Sequence, residues 1–448
     1  MVAALGLSTR FGGTIRAADS GVVESGAGIG CASGTGTPED KKPMDLGRSS
    51  GESTQTAPKP RVLVGHFSLE QTVSNSESPV ANPQSPIPNP RSLPCADYLL
   101  WAKRRSHPAN DLARSDVVAL ALDDLPGARA ALELSGRNDD GYPPLVELIA
   151  ARYLVSADQV ATATGTSGAN FLACAALVRP GDDVLVEQPG YDPLVAVPRM
   201  LGANIVRFER RFEDGFRLDP DRVAAALTPR TRLIIVTNLH NPTCVAIGQH
   251  ELRALGAIAD RHGVHVLVDE IYLDSALGEP RPPAATLGPW FISTSSLTKV
   301  YGLAAFRCGW ALAAPPVAEE IRRARDLVDG SGSVLVDRAS VVAFQHLPEL
   351  AERSRAILAS HLALVESFVA GQPALEWVKP SGGTVAFPRL RSGEPADTLA
   401  ARLLREFDTA IVPGRFFDAP AHFRMAFGIR REPLERGLDA ISRALLLA

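Results

Sequence analysis

The sequence lacks several features that would place it outside the globular proteins. Its 448 residues include only five cysteines, with no Cys-x-x-Cys pair and no metal-binding spacing. Its longest apolar runs, such as residues 171–178, are too short to span a bilayer. A formal net charge of −4 gives no electrostatic attraction to nucleic acid or to an acidic membrane surface. We therefore expect a globular protein of the reducing cytoplasm, with neither nucleic acid nor membrane among its partners.

Residues 1–92 differ in composition from the rest of the chain. They are rich in Gly, Ser, Thr, Pro and Asn, and little in them could feed a hydrophobic core. We interpret this segment as a disordered N-terminal extension. The alternative is an organelle transit peptide, because the first 18 residues contain Arg10 and Arg16 and no acidic residue.

From residue 97 onward, strand-like and helix-like runs alternate. Near-continuous apolar strands between helices are typical of an α/β fold, in which helices cover both faces of a mainly parallel sheet. After about residue 340 the pattern changes to long helices with a few short strands. We predict a large domain over residues 136–340 and a smaller α+β domain built from residues 96–135 and 341–448. The strand-like runs are residues 183–187, 205–208, 233–237, 265–269 and 291–294.

The most informative residue of the sequence is Lys299. It follows an apolar run, residues 290–292, and then four hydroxylated residues, 293–296. A strand that ends in hydroxyls and then a lysine indicates the floor of a site. Burial near a second cation lowers the pKa of a lysine and makes its amine a nucleophile toward aldehydes. Arg307, eight residues later, supplies that cation and a forked donor for a phosphate.

A stretch of small residues, 163–170, opens a strongly apolar helix. At Gly165, Thr166 and Ser167 the backbone N–H groups can approach an anion, and the helix N-terminus favours negative charge. The stretch is neither a Walker loop nor a Gly-x-Gly-x-x-Gly motif. It predicts a phosphate cradle, and an ordinary Gly/Ser turn before a helix is the alternative.

Four further residues follow predicted strands, at the edge where ligands gather in an open α/β sheet. Asn241, in an Asn-Pro-Thr motif, can donate to a ring oxygen. Asp269 can keep a pyridine nitrogen protonated, and Tyr272 can reach a phenolate oxygen. Tyr191 can stack on a planar cofactor. Structural alternatives remain open for all four, namely an Asn-Pro turn, a helix N-cap and a Gly-Tyr turn.

One arginine near the C-terminus, Arg424, stands inside an alternating apolar run. Burying a guanidinium costs free energy unless the cation is paired. A carboxylate ligand that binds it in bidentate fashion would satisfy this need. The alternatives are that Arg424 pairs with a carboxylate of the protein or faces water.

Taken in order, these motifs resemble the class I/II aminotransferases, fold type I enzymes that use pyridoxal phosphate. The resemblance covers about residues 97–448 and rests on Pro-x-Tyr, Asn-Pro-Thr, Asp-x-x-Tyr, Ser-x-x-Lys, an arginine eight residues further on and a late arginine. The 28-residue spacing between Asn241 and Asp269 also matches. The resemblance implies a seven-stranded, mainly parallel sheet and a homodimer. It also implies transfer of an amino group between an α-amino acid and a 2-oxo acid.

The resemblance further implies a role for each residue. Lys299 forms a Schiff base with pyridoxal phosphate, and its freed amine later moves the proton from the substrate Cα. Asp269 pairs with the pyridinium nitrogen, and Tyr191 stacks on the ring. Asn241 and Tyr272 bond the phenolic oxygen. The phosphate is held by Gly165, Thr166, Ser167, Ser296 and Arg307.

Two positions depart from the family pattern. Cys244 stands where relatives often have glycine after Asn-Pro-Thr, and Gly136 stands where many have a tyrosine that reaches the phosphate of the neighbouring subunit. Residues 329–333 contain no second arginine for a dicarboxylate, which disfavours aspartate and glutamate as amino donors. Arg424 is implied to bind the substrate α-carboxylate, which favours reactions that retain this group.

Two other functions stay open because a fold does not fix the reaction. One is another pyridoxal phosphate reaction on the same fold, such as a C–S or β/γ lyase or a cyclase. The other is a ligand-sensing regulator that uses this fold. Such regulators carry a basic winged-helix domain in front, and residues 1–92 lack the helical and basic patterning of one.

Overall fold

The computed structural model describes residues 94–278 and 281–447. The predicted disordered extension and the transit peptide of residues 1–92 lie outside the described residues. Within the described part, none of the helices is long and apolar enough to cross a membrane.

The α-helices of the described part are α1 (Asp97–Arg104), α2 (Pro143–Tyr153), α3 (Gly165–Leu177), α4 (Pro193–Met200), α5 (Pro220–Ala226), α6 (Gln249–His262), α7 (Pro315–Asp326), α8 (Val334–Gln345), α9 (Leu347–Ala370), α10 (Asp397–Phe407) and α11 (Arg431–Leu446). Its strands are β1 (Asn110–Asp111), β2 (Val160–Thr164), β3 (Asp183–Gln188), β4 (Asn204–Glu209), β5 (Thr231–Thr237), β6 (His265–Asp269), β7 (Phe291–Ser296), β8 (Cys308–Leu312), β9 (Leu375–Glu376), β10 (Val385–Ala386), β11 (Arg389–Leu390), β12 (Thr409–Ala410), β13 (Val412–Pro413) and β14 (Phe423–Ala426).

Seven strands form one sheet in the order β2-β8-β7-β6-β5-β3-β4. The strands β3 to β7 pair in parallel, and β8 runs antiparallel to both β7 and β2. The predicted fold class, a mainly parallel seven-stranded sheet with helices, is confirmed. Sequence patterning found the five parallel strands and missed β2 and β8. Each of these two strands has a single branched aliphatic residue, Val160 in β2 and Leu312 in β8, which is too few to mark a buried strand in the sequence.

Helices cover both faces of this sheet because its strands are apolar on both sides. Along β3, Val184 and Val186 pack with α3 and α7 on one face, and Leu185 packs with α6 on the other. The strand β5 alternates in the same way, with Ile235 on the first face and Ile234 on the second. Strands buried on both faces need near-continuous apolar sequences, which is the pattern that predicted them.

One edge of the sheet collects the ends of several strands. The register pairs Thr237 with Asp269 and Asp269 with Thr294, so β5, β6 and β7 end side by side. Because β8 is antiparallel, it begins at this edge, where Gly309 pairs with Ser296. The helix α3 also starts here, since β2 ends opposite the first residue of β8. Short local motifs from distant parts of the sequence therefore meet at one place.

A second group of short strands and long helices follows the sheet. The strands β10, β14 and β13 form a three-stranded antiparallel sheet. The strand β1 pairs in parallel with β12, which connects the segment before the large sheet to the C-terminal segment. Leu112 and Val117 share a buried cluster with residues of α9 and α11. The assignment of residues 96–135 and 341–448 to one small domain, and of residues 136–340 to a large one, stays a prediction.

Candidate active site

Lys299 lies just beyond the end of β7 and is half-buried. Its Nζ donates a hydrogen bond to Ser115 Oγ at 2.9 Å. Burial lowers the pKa of the amine, the Asp116 carboxylate opposes this shift, and the cations Arg424 and Arg307 add to it. A lowered pKa increases the fraction of neutral amine, which is the nucleophilic form. The role of Lys299 as the Schiff-base residue stays a prediction.

Asp269 is the last residue of β6, and its side chain is buried. Its Oδ2 accepts a hydrogen bond from Asn170 Nδ2 at 2.8 Å, and its Oδ1 accepts one from the Ile271 N–H at 3.1 Å. Thr294 Oγ1 donates to the Asn170 carbonyl oxygen at 2.6 Å, which fixes the orientation of that amide. Burial raises the pKa of Asp269 to about 6, against the opposing hydrogen bonds and the Lys299 charge. A cationic ligand at this carboxylate would remove the cost of ionising it.

Arg424 lies in β14 with 1% of its surface exposed. Its Nη1 donates to Asn241 Oδ1 at 3.1 Å, and its Nη2 donates to the Tyr98 hydroxyl. The guanidinium carbon lies 5.0 Å from the ring centroids of Tyr98 and Phe417. Within residues 94–278 and 281–447, no carboxylate forms an ion pair with Arg424, and its buried Nε has no hydrogen-bond partner. A buried cation with an unused donor is suited to a carboxylate ligand.

The predicted phosphate cradle lies where α3 begins. Gly165 has a left-handed φ of 69°, and a side chain at this position would collide with the Arg307 guanidinium. Thr166 Oγ1 donates to Ser296 Oγ at 2.9 Å, so two hydroxyls lie beside the helix N-terminus. The helix has no side-chain N-cap, which leaves its first N–H groups free for an anion. Ser167 is exposed on the first helical turn.

Asn241 and Tyr272 contact other residues of the site. The Asn241 N–H donates to Thr237 Oγ1 at 2.7 Å, and its side-chain oxygen accepts the hydrogen bond from Arg424. This arrangement leaves the Asn241 Nδ2 group available to donate to a ligand. The Tyr272 hydroxyl donates to the Ser115 carbonyl at 3.2 Å, and burial raises the pKa of this phenol.

Tyr191 lies in the turn between β3 and α4. Its ring meets the Tyr98 ring edge-on at a centroid distance of 5.9 Å. Burial raises the pKa of Tyr191, and the nearby Tyr98 and Tyr272 add to this shift, whereas Arg424 opposes it. These contacts place Tyr191 within the same group of residues as Arg424 and Asp269.

Three residues of this site escaped the sequence analysis. Asn170 had a readable signal, because it is an amide in a helix that is otherwise apolar and mostly buried. Ser115 contacts Lys299 across 184 residues of sequence, and Tyr98 contacts Arg424 across 326. Neither Ser115 nor Tyr98 belongs to a local motif, so only the fold reveals them.

Cys244 shows how the chain accommodates its departure from the family pattern. It is buried and has a left-handed φ of 56°, a conformation that favours glycine. Its thiol occupies the space beside Gly383, where a β-carbon would collide with Sγ. Gly383 also has a left-handed φ, of 78°. The cysteine and the second glycine therefore form a complementary pair.

This pairing predicts an asymmetric pattern of stability. We expect Gly383→Ala to lower the free energy of unfolding by about 2–5 kcal/mol through backbone strain and overpacking. We expect Cys244→Gly to change it by less than about 1 kcal/mol, because relief of strain offsets the lost packing. In the double variant, Gly383→Ala should lower the free energy of unfolding by less than it does in the wild-type background. Urea denaturation of the four proteins measures this coupling, and strictly additive values would contradict the pairing.

The group as a whole fits pyridoxal phosphate. A side chain at Gly165 would fill the space under Arg307, so the glycine keeps a phosphate cradle open. Asp269, a buried carboxylate that forms no ion pair with another of the described residues, suits a pyridinium nitrogen, and a lysine of lowered pKa suits an aldehyde.

Comparisons with known proteins agree with this chemistry. The family model for aminotransferase class I and II matches residues 113–441. Capreomycidine synthase from Streptomyces vinaceus is 34% identical over 377 residues, which cover 79% of this chain and 95% of that protein. Arginine–pyruvate transaminase from Pseudomonas aeruginosa is 30% identical over 295 residues, which cover 64% of this chain and 75% of that protein.

Solved structures give the same result. A PLP-dependent aminotransferase from Streptococcus suis superimposes with a TM-score of 0.75 at 26% identity, covering 80% of this chain and 99% of that one. The PLP-dependent cyclase OrfR superimposes with a TM-score of 0.73 at 28% identity, covering 81% of this chain and 100% of that one. The predicted resemblance, transaminase class and cofactor, pyridoxal phosphate, are thereby confirmed. With the family model matched over most of its length, the chain belongs to the class I and II aminotransferases.

Proposed function

We propose that the protein moves an amino group between an α-amino acid and a 2-oxo acid, with Lys299 as the Schiff-base residue. When bound, pyridoxal phosphate supplies the electron sink that makes the substrate Cα–H acidic. The observation that carries the proposal is electrostatic, because Lys299 lies within reach of the charges of Asp269, Arg307 and Arg424. The freed Lys299 amine accepts the Cα proton and returns it to a second carbon, which requires a neutral amine held in place.

The remaining site residues would hold the cofactor. Asp269 would keep the ring nitrogen protonated, and Tyr191 would lie against the ring. The Asn241 Nδ2 group would donate to the phenolic oxygen. The Tyr272 hydroxyl would do so by turning its single proton away from the Ser115 carbonyl. The phosphate would be held by Gly165, Thr166, Ser167, Ser296 and Arg307.

Arg424 would bind the α-carboxylate of the substrate. Its Nε is an unused buried donor, and its two other nitrogens are oriented by Asn241 and Tyr98. A fixed guanidinium holds a carboxylate through two parallel hydrogen bonds. A site that grips this group retains it, which supports transamination or elimination over decarboxylation.

Cyclisation on the same fold is the second candidate function. Two of the compared proteins, which align over 95% and 100% of their own lengths, are named capreomycidine synthase and PLP-dependent cyclase. Both reactions would use the same lysine as the base, and they would differ in where the electrons go after the proton leaves Cα.

Half-reactions separate the two functions. The protein, loaded with pyridoxal phosphate, is mixed with a panel of single amino acids, including arginine and aspartate, without a 2-oxo acid. Transamination converts the cofactor to its amine form and yields one equivalent of 2-oxo acid. Release of ammonia with no amine form would indicate a lyase. A ring-closed amino acid, detected by mass spectrometry, would indicate a cyclase. We expect aspartate to react poorly, because residues 329–333 offer no second arginine.

A homodimer is part of the proposal. Leu327 and Val328, at the end of α7, are 90% and 58% exposed. The next residue, Asp329, accepts a hydrogen bond from Thr164 Oγ1, so this apolar surface adjoins the phosphate cradle. Contiguous exposed apolar side chains often mark a surface that binds a partner. We infer that a second copy of the chain covers them.

Leu327→Asp is expected to convert the dimer to a monomer and to weaken cofactor retention at least about tenfold. A carboxylate at a buried apolar interface would have to be desolvated without a cation. Sedimentation measures the mass, and dialysis followed by the visible absorption band measures retention. Leu446→Asp is the matched control, since Leu446 is 85% exposed at the end of α11. A dimeric Leu327→Asp variant would contradict the assignment of this surface.

We also place the protein in the cytoplasm. The four cysteines of the described residues, Cys95, Cys174, Cys244 and Cys308, are free thiols. Burial raises the pKa of Cys174, Cys244 and Cys308, which keeps these thiols protonated and unreactive. Buried free thiols are typical of proteins from a reducing compartment.

A further inference from the structure

A buried carboxylate that no sequence motif singled out lies behind the site. Glu187, near the end of β3, is 1% exposed. Its Oε1 accepts hydrogen bonds from the Thr237 N–H at 2.7 Å and from Thr237 Oγ1 at 2.5 Å. Its Oε2 accepts one from Arg210 Nη1 at 2.9 Å. A single carboxylate therefore joins the ends of β3, β4 and β5.

Glu187 connects to both turns that carry proposed cofactor contacts. On one side, the Thr237 hydroxyl that donates to Glu187 accepts the hydrogen bond from the Asn241 N–H. On the other side, a β-carbon at Gly190 would collide with the Glu187 carbonyl oxygen, so the turn that leads to Tyr191 packs directly on Glu187. Glu187 therefore contacts both the turn that carries Asn241 and the turn that carries Tyr191, so it helps to set the position of one relative to the other.

His240 forms a second connection between the turn that carries Asn241 and the turn that leads to Tyr191. Burial lowers its pKa well below the usual range, and the Arg210 cation adds to this, so the ring is neutral. A carbonyl oxygen only accepts hydrogen bonds, so His240 Nε2 donates to the Pro189 carbonyl at 2.9 Å. Its Nδ1 then accepts from Thr243 Oγ1 at 2.6 Å. Glu187 Oε2 lies 3.8 Å from His240 Nε2. Because the histidine is neutral, the cation that pairs with Glu187 is Arg210.

A buried ion pair is a poor way to gain stability. Well-packed apolar residues of similar volume often stabilise a protein as well or better. Arg210 is buried, and its Nη2 has no hydrogen-bond partner among the described residues, which adds to the cost. The benefit of the pair is a carboxylate whose two oxygens accept three short hydrogen bonds at fixed angles. This geometry indicates a role in placing the Asn241 turn.

We propose that Glu187 is a positioning residue of this site, and that it acts through Thr237 to hold Asn241 against the phenolic oxygen of the cofactor. Burial raises the pKa of Glu187, and the Arg210 cation and the Thr237 donors oppose this shift. The inference rests on the proposed function, in which Asn241 and Tyr191 contact pyridoxal phosphate.

The test is a pH titration of the visible absorption band of the resting, cofactor-loaded enzyme. A donor at the phenolic oxygen withdraws electron density from the nitrogen that links the cofactor to lysine. That nitrogen then loses its proton at a lower pH, which lowers the midpoint of the titration followed by the band. We expect Glu187→Gln to raise this midpoint by about half a pH unit, because the amide holds Thr237 less firmly. We expect kcat to fall about tenfold with KM within about twofold, since orientation is lost while substrate binding is kept.

A double-mutant cycle with Asn241→Ala decides whether Glu187 acts through Asn241. Asn241→Ala alone should raise the midpoint, and adding Glu187→Gln should then change it no further. Additive shifts would overturn the proposal. So would an unmoved midpoint in Glu187→Gln accompanied only by a lower melting temperature, which would indicate a merely structural role.

A second pair of variants covers the case in which Glu187→Gln fails to fold. Thr237→Val removes the hydroxyl that joins Glu187 to Asn241 and should raise the midpoint, whereas Thr237→Ser should restore it. Equal midpoints for the two variants would overturn the proposal. A wild-type protein that shows no visible band with pyridoxal phosphate would overturn the proposed function and this inference together. If the wild type shows the band and its pH midpoint is unchanged in both sets of variants, this inference alone would be overturned.

Discussion

Lys299→Ala is expected to lower kcat by about four orders of magnitude or more. The variant loses the nucleophile that attaches to the cofactor and also the base that carries the substrate proton. Both functions depend on an amine whose pKa is lowered by burial and by three nearby arginines, Arg424, Arg307 and Arg114. Borohydride reduction of the loaded wild-type enzyme should add one cofactor mass to the peptide that contains Lys299. The variant should bind cofactor only reversibly and should show no such mass.

A surface lysine provides the control for this experiment. Lys379 is half-exposed and pairs with Glu366 at 2.7 Å. Lys379→Ala should therefore keep the wild-type kcat and the borohydride label. Labelling of the Lys299→Ala protein at full stoichiometry, or an unlabelled wild type, would contradict the role of Lys299.

The parts of the site that sequence could predict are those with local chemistry. Asp269 ends an apolar strand, Asn241 follows the end of another by four residues, and Arg307 comes eight residues after Lys299. Parallel strands bring such ends to one edge of the sheet, so local motifs become neighbours without any knowledge of long-range contacts. Strand patterning therefore carried most of the prediction.

The parts that sequence could not predict depend on the orientation of strands and on loops. The strand β8 reverses direction, which brings Arg307 beside Gly165 at the start of α3, and its small residues gave no pattern that would have shown this. The loop that carries Ser115 is held near Lys299 by hydrogen bonds from Tyr272 and Thr384 to the Ser115 carbonyl and by one from the Val117 N–H to the Lys299 carbonyl. Such contacts arise from packing between segments that are far apart in sequence.

Asp269→Asn is expected to lower kcat by about two to three orders of magnitude while leaving the borohydride label on Lys299 intact. A neutral amide cannot hold the ring nitrogen in its protonated form, so the electron sink that bound pyridoxal phosphate supplies is weaker. The neighbouring Glu270 is the matched control. Burial raises the pKa of Glu270 to about 8, so this carboxyl is mostly neutral at pH 7. Glu270→Gln should accordingly keep kcat within about threefold, and an equal loss in both variants would contradict a role for the Asp269 charge.

The same substitution should also change how stability depends on pH in the cofactor-free protein. The pKa of Asp269 is about 6 in the folded chain, above its ordinary value of 3.8, so the folded state binds the proton more tightly than the unfolded state. Its contribution to stability is therefore complete below about pH 4 and is lost as pH rises through about 6. From about pH 4 to 7 the wild type should lose about 3 kcal/mol relative to Asp269→Asn, which has no such titration.

Urea denaturation of the two cofactor-free proteins at a series of pH values measures this difference. Parallel pH profiles would show that Asp269 is not a strained, ionised carboxylate in the folded chain. Bound pyridoxal phosphate should reduce the difference, because a cationic ring nitrogen beside the carboxylate stabilises its charged form. The strain that Asp269 imposes on the cofactor-free fold is thus relieved by the group that the site binds, which couples cofactor affinity to the charge of this one residue.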